Sequence, residues 1–299
     1  MTLPRRILKG TTYLLTRRCF QRSFFLRPSK KTNQIFMYCL AYAAKNTGVL
    51  IHAYCVMSNH HHIVLTDPDG NLPKFTGLLH KLTAKCINAS LGRWEILWSS
   101  EQTSHVFLEE DSDVLDKMVY TICNPVTSFL VDHIKKWPGL CSKPKDLLKR
   151  GIIVKRPKVF FSEKGKTPEE ITFKLTRPNI YTNLDDAEFV ELMRVEINKK
   201  QNSARTEAES RGIHFMGARR VMKQTPFSCP RTMEPRRNMK PRVAAKNKWQ
   251  RIEALRRLKS WVNTYREAWK QWKAGIRDVV FPPGTYALVR YSGVSCTEP

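Results

Sequence analysis

Val49-Leu50-Ile51-His52-Ala53-Tyr54-Cys55-Val56-Met57-Ser58-Asn59-His60-His61-His62-Ile63-Val64-Leu65-Thr66 is the stretch on which the fold turns. Two apolar runs, residues 49–57 and 61–66, flank the Ser58-Asn59 pair, and this pattern predicts a β-hairpin. Side chains alternate faces along a strand, so His60 and His62 point one way while His61, Ile63 and Leu65 point the other. The first pair stands close enough to hold one metal ion; His61 belongs with the core. A His-x-His pair is often only structural, so its meaning depends on what else the fold brings to that face.

Outward from the hairpin the first 140 or so residues alternate between strand and helix patterns. Residues 11–17 read as a strand with Tyr13 and Leu15 on one face. Residues 32–46 read as a helix with Ile35, Phe36, Cys39, Leu40 and Ala43 inward and Gly48 as its stop. Leu72, Phe75, Leu79, Leu82, Cys86 and Ala89 recur at steps of three and four, predicting an amphipathic helix. A short strand at 106–108 and a helix at 114–123, with Ser112 as its N-cap, complete the series. The expected fold class is α+β: an antiparallel sheet with helices on one face, followed by a basic, mainly α-helical C-terminal region.

The third helix carries Tyr120. At about 100° per residue, Val114, Leu115, Met118, Val119, Ile122 and Cys123 form one apolar stripe, whereas Tyr120 and Asn124 fall about 140° and 180° from Leu115. A packed tyrosine would sit with the stripe; this one is presented, with Asn124 one turn further on. Pro125 biases the residue before it away from helical geometry, so the helix is expected to end near Asn124.

Lysine and arginine number 52 against 26 aspartates and glutamates, a formal charge of +26. That excess calls for a polyanionic partner. No run approaches the roughly 18–20 apolar residues of a membrane span, and the start lacks the apolar stretch of a signal peptide. The eight cysteines include no Cys-x-x-Cys pair, which argues against a zinc ribbon or a disulfide framework and for reduced thiols in the cytoplasm. His52, His80, His105, His133 and His214 have no partner spacing and read as ordinary residues.

The remainder divides into a proline- and lysine-rich stretch at 141–184, expected as a linker or irregular wrap, and a basic helical region at 185–299. Within the latter, residues 185–211 predict a charged helix broken by Gly212, with a second short helix at 217–224, a spacing open to a helix-turn-helix reading. Arg236, Arg237, Lys240, Arg242, Lys248, Arg251, Arg256 and Arg257 are the candidate DNA-binding cations. Trp249, Ile252, Leu255, Val262, Tyr265, Trp269 and Trp272 recur at helical spacing and read as core packing in preference to base stacking.

A metal-binding pair, a presented tyrosine and a cationic chain are the parts needed for attack on a phosphodiester, since the ion offsets charge on the non-bridging oxygens and a phosphotyrosine conserves the bond energy for rejoining. At these residues the chain resembles a known family. Tyr54 through Leu65 is similar to the His-hydrophobic-His block of the single-tyrosine transposases, above all the REP-associated tyrosine transposases, whose block reads Met-Pro-Asn-His-x-His and then aliphatics. Tyr120 through Val126 resembles their Tyr-x-x-x-Asn-Pro-Val element, and Asn88, Gly92, Arg93, Trp94 and Trp98 resemble their middle region. Ser58, His61 and Thr127-Ser128-Phe129 depart from the pattern, the last where a basic residue, Ala and Gly are usual.

The resemblance covers about residues 5–140 and implies a ferredoxin- or RRM-like catalytic domain at 1–140. It implies Tyr120 as nucleophile, His60 and His62 as metal ligands, Asn124 as auxiliary ligand, and Mg²⁺ or Mn²⁺ as cofactor. The implied substrate is single-stranded DNA beside a hairpin, cleaved to a 5′-phosphotyrosine, in transposition of short hairpin-containing elements. The implied setting is the bacterial cytoplasm at the nucleoid, with monomer and homodimer both open. A catalytically inactive or domesticated relative that binds structured DNA is the alternative. A replication or relaxase initiator is disfavoured because no Gly-x-x-x-x-Gly-Lys loop is present.

Overall fold

A computed structural model describes residues 4–162, 164–232 and 241–297. The chain opens with β1 (Thr11–Arg18), α1 (Lys30–Thr47), β2 (Leu50–Val56), β3 (His60–Asp67), α2 (Leu72–Leu91), β4 (Ser104–Leu108) and α3 (Asp111–Thr127). Strands β2, β3, β1 and β4 lie side by side in that order, each neighbour antiparallel. This is the split β-α-β topology of the expected ferredoxin-like sheet.

The hydrophobic pattern sets the register. Leu15 pairs with Ile63 and Tyr13 with Leu65, so one face is apolar, and α1 and α2 cover it with Ile35, Phe36, Leu40, Phe75 and Leu79. Full burial of each such side chain contributes about 1.5–3 kcal/mol. Gly48 ends α1 at φ 73° as the pattern required, a left-handed conformation that glycine adopts without a Cβ clash. The opposite face presents Thr16, Cys55 and His62 at one level of the sheet. Part of it lies under α3, which packs along β2 and β3.

Helix α3 differs from its sequence-based bounds at both ends. Glu110 occupies the cap position and Ser112 lies inside the first turn, so Ser112 is not the N-cap. At the far end the helix runs through Pro125 to Thr127. Met118, Ile122, Cys123 and Val126 are all buried there, and packing on two sides outweighs the one hydrogen bond that proline removes.

The stretch expected as a linker or irregular wrap holds a hairpin, β5 (Ile152–Lys155) and β6 (Glu170–Phe173), seated on α1. Val154, Ile171, Phe173 and Leu175 join the main core. Next come α4 (Asp186–Ser210), packed along α3, and α5 (Ala218–Lys223). Asp185 and Glu188 form a capping box at the start of α4, and Gly212 turns the chain after it at φ 59°. With six residues, α5 is too short to be the second element of a helix-turn-helix.

The C-terminal part adds β7 (Val243–Ala244) beside β4 as a fifth strand, then α6 (Lys248–Lys273), β8 (Val280–Phe281), α7 (Ala287–Ser292) and β9 (Ser295–Cys296). Helix α6 buries Ala254, Trp261 and Ala268. Tyr265, Trp269 and Trp272 pack on Phe281 and its neighbours, in keeping with the core reading. Trp249 and Leu255 do not join them: they are 74% and 46% exposed.

One buried carboxylate anchors α2. Asp67 accepts hydrogen bonds from the backbone N–H groups of Asn71 and Leu72 at 2.8 and 2.7 Å. Asp67→Ala leaves two helix-end donors buried without partners, and urea unfolding is expected to show a loss of about 2 kcal/mol.

Candidate active site

Four of the residues singled out in the sequence meet on the face opposite α1 and α2. The His60 and His62 rings lie 4.8 Å apart, nearly perpendicular. The Tyr120 ring packs edge-on against His62 at 5.3 Å. Asn124 follows one turn along α3, and its side chain acts to lower the phenol's pKa.

Each imidazole is held by its δ nitrogen. His60 Nδ1 lies 2.7 Å from Asn59 Oδ1, and His62 Nδ1 lies 2.8 Å from Thr16 Oγ1. The Asn59 oxygen can only accept, so His60 carries its proton on Nδ1 and keeps a lone pair on Nε2. A second partner that fixes tautomer and ring direction is what a metal-binding histidine needs. Burial, then the nearby Arg18 charge, drives the His60 pKa down to about 4. His62 is held well below the ordinary range by burial and then by His60, His61 and Arg18. Both rings are therefore neutral near pH 7, the form that ligates a cation.

The donor set fits a divalent ion with open positions. Among the described residues no three His, Cys, Asp or Glu side chains converge on a metal position. Tyr120 itself is 36% exposed. Its pKa is raised by burial, with the Asn124 side chain opposing the shift, so the phenol is protonated at neutral pH.

Three residues at the site escaped the sequence reading. Thr16 and Arg18 pair across the ladder with His62 and His60, and Lys117 sits 5.9 Å from the Tyr120 ring centre. Parity along β1 puts Thr16 and Arg18 on one face, but which strand they would meet depends on register, which one strand does not encode.

The basic set lies elsewhere. Arg242 lines a 310 Å³ cavity beside β4 and β7. Arg257 is ion-paired with Glu109 and lies 3.9 Å from Glu253. Lys248 covers Trp249 at 5.8 Å, and Arg251 and Arg256 are exposed along α6. None of these contacts involves the His60–His62 pair. Arg236, Arg237 and Lys240 lie outside the described residues. Part of the C-terminal charge is thus used internally, since Glu109 and Asp116 receive Arg257 and Lys246; the neutral Gln250 donates to Glu110.

No protein-family model matches the chain, and no curated protein matches it. Among solved structures it is similar to a REP-associated tyrosine transposase bound to a REP hairpin, at 17% identity and a TM-score of 0.42, over 56% of this chain and 96% of that one. It is also similar to a candidate transposase from Deinococcus radiodurans R1, at 18% identity and a TM-score of 0.29, over 38% and 89% of the two chains. Both neighbours carry a transposase name, and one of them is held on hairpin DNA. No helix among the described residues is long and apolar enough to cross a membrane.

Proposed function

We propose that the chain is a metal-dependent endonuclease and strand transferase for single-stranded DNA, a transposase acting beside hairpins. The observation that carries this reading is the packing of Tyr120 on His62 at 5.3 Å, which joins the nucleophile from α3 to the imidazole pair from β3. His60 and His62 would hold Mg²⁺ or Mn²⁺ through Nε2, with Asn124 as a third contact; when bound, the ion neutralises charge on the phosphate and orients it.

The chain's own groups do the rest. Tyr120 Oη attacks phosphorus, the O–P bond forms, and the bond to the 3′ oxygen breaks. The phenol proton passes to water, and water returns one proton to the departing 3′ oxygen. The 5′ phosphate stays on Tyr120, and attack by another 3′-hydroxyl releases the tyrosine and joins the strands. Arg18, beside His60, adds positive charge next to the scissile group. Residues 1–140 form the catalytic part in this reading, 141–184 connect it, and 185–299 add the DNA grip of α6. A dimer and residence at the nucleoid are compatible with it.

The test is incubation of the full chain with a labelled single strand bearing a hairpin. Mn²⁺ should yield a nick and a protein–DNA adduct that resists denaturant, and EDTA should remove both. A retained binding shift without nicking under any divalent metal would leave the alternative reading, a binder of structured DNA.

A further inference from the structure

The helix-covered face of the sheet holds a second cluster of reactive groups, on the side away from Tyr120. A cavity of about 640 Å³ opens there between the N-terminal segment, the start of α2, β4, and the layer made by α6 and α7. Arg5, Arg17 and Arg266 line it with His80 and His105, and no lining residue is acidic.

Gathering cations around one space without a carboxylate is costly, because a partly buried charge loses hydration and gains nothing in return. Among the described residues Arg5 and Arg17 have only neutral partners. Arg5 Nη1 lies 3.0 Å from His105 Nδ1. Arg17 donates to Thr103 Oγ1 at 2.8 Å and to the Ser99 carbonyl at 3.0 Å. Arg17 Nε and His105 Nε2 remain buried with no partner at all. Groups of this kind ask for an explanation in a ligand or an ion. Burial, then the charges of Arg242 and Arg17, lowers the Arg5 pKa to about 10.

The missing counter-charge is what an anion brings, and planar guanidinium groups match phosphate oxygens. The far wall is aromatic, with Tyr265, Trp269 and Tyr286. Such rings stack on bases, and the volume lies within the roughly 300–1,000 Å³ of small-ligand pockets. We infer that this cavity binds a nucleotide, with its phosphate among Arg5, Arg17 and Arg266 and its base against Trp269 and Tyr286. The nucleotide is either free or one unit of a single strand; the chemistry recognised is the same. The inference does not depend on the activity proposed above, because the cavity and the His60–His62 pair lie on opposite faces of the sheet.

Calorimetric titration of the full chain tests it, with deoxyadenosine 5′-monophosphate, inorganic phosphate and a 5′-phosphorylated tetra-deoxyadenylate as probes. Wild type should bind one mononucleotide or one tetranucleotide end per chain. Arg5→Gln and Arg266→Glu should each weaken that binding at least about tenfold, while the His60→Ala/His62→Ala double variant leaves it unchanged. Arg266 is exposed, so its variant should melt like wild type and separates binding from folding. Tetranucleotide binding without mononucleotide binding, sensitive to both arginine variants, assigns the ligand to a strand and supports the site. Loss of binding in the histidine variant, wild-type affinity in both arginine variants, or no binding of either nucleotide probe overturns the inference. Inorganic phosphate binding as tightly as the mononucleotide overturns the aromatic half of it.

Discussion

Tyr120→Phe is expected to abolish the covalent DNA adduct, lowering strand cleavage by about 10⁴-fold or more, and to leave DNA affinity within about twofold. The substitution removes one oxygen. The ring keeps its place against His62, and the hydroxyl belongs to a side chain 36% exposed, so folding should hardly change. Removing a nucleophile leaves no group able to form the bond, whereas removing a positioning residue leaves a slower route. Thr16→Ala supplies that contrast. Thr16 Oγ1 holds His62 Nδ1 at 2.8 Å, and loss of such a partner typically costs 10–100-fold in metal affinity or activity. The Thr16 variant should therefore still form adduct at raised Mn²⁺, with its half-saturating metal concentration moved upward, while Tyr120→Phe stays silent at every metal concentration. Denaturing gels of protein with end-labelled DNA read both outcomes. An adduct persisting in Tyr120→Phe would remove Tyr120 from the mechanism.

What could be read from sequence was what repeats at short range. The strand pair around Ser58-Asn59, the helix from Leu72, and the stop at Gly48 all follow from periodicity and turn chemistry within a dozen residues. The pairing of His60 with His62 follows from strand parity alone, and the offset of Tyr120 from the α3 stripe follows from helical geometry. The rest depended on which distant segments meet. Thr16 and Arg18 join the site only because β1 runs beside β3 in one register. His80 read as an ordinary residue, yet it meets His61 across the interface between α2 and the sheet. The hairpin β5–β6 looked irregular because its strands are four residues each, too short for alternation to stand out among prolines. Trp249 shared a helical spacing with Trp269, and only the position of β8 decided which of them was covered.

The same buried histidines make the fold acid-sensitive, and urea unfolding should show it. Four of them are His52, His61, His80 and His105, and in metal-free protein His60 and His62 act in the same direction. His52 is buried with Nδ1 2.8 Å from the Thr176 carbonyl and Nε2 2.8 Å from Thr66 Oγ1, a neutral ring fully satisfied. His61 and His80 face each other Nε2 to Nε2 at 3.0 Å. One N–H and one lone pair make that contact, so a second proton would set two donors head to head. Burial, the first cause in each case, drives His52 down to about 4 and His105 to about 3, and it holds His61 and His80 well below the ordinary range. In the unfolded chain all four titrate near 6.5. Above that pH both states are neutral and these rings add no pH dependence. Below it the unfolded state takes up protons that the native state refuses, so stability falls as pH drops toward the native values. Asp67, whose pKa is raised by burial, acts in the opposite direction, but it is one group against four. Each ring contributes at most about 1.4 kcal/mol per pH unit, so the four together approach about 5 kcal/mol per unit. A domain holds only about 5–15 kcal/mol. The urea midpoint should thus be flat from pH 8 to 7, fall steeply below 6.5, and reach the unfolding baseline near pH 5. A midpoint unchanged between pH 7.5 and 5.5 would mean that these imidazoles take up protons in the folded protein, and that the contact between His61 and His80 is not the neutral one described.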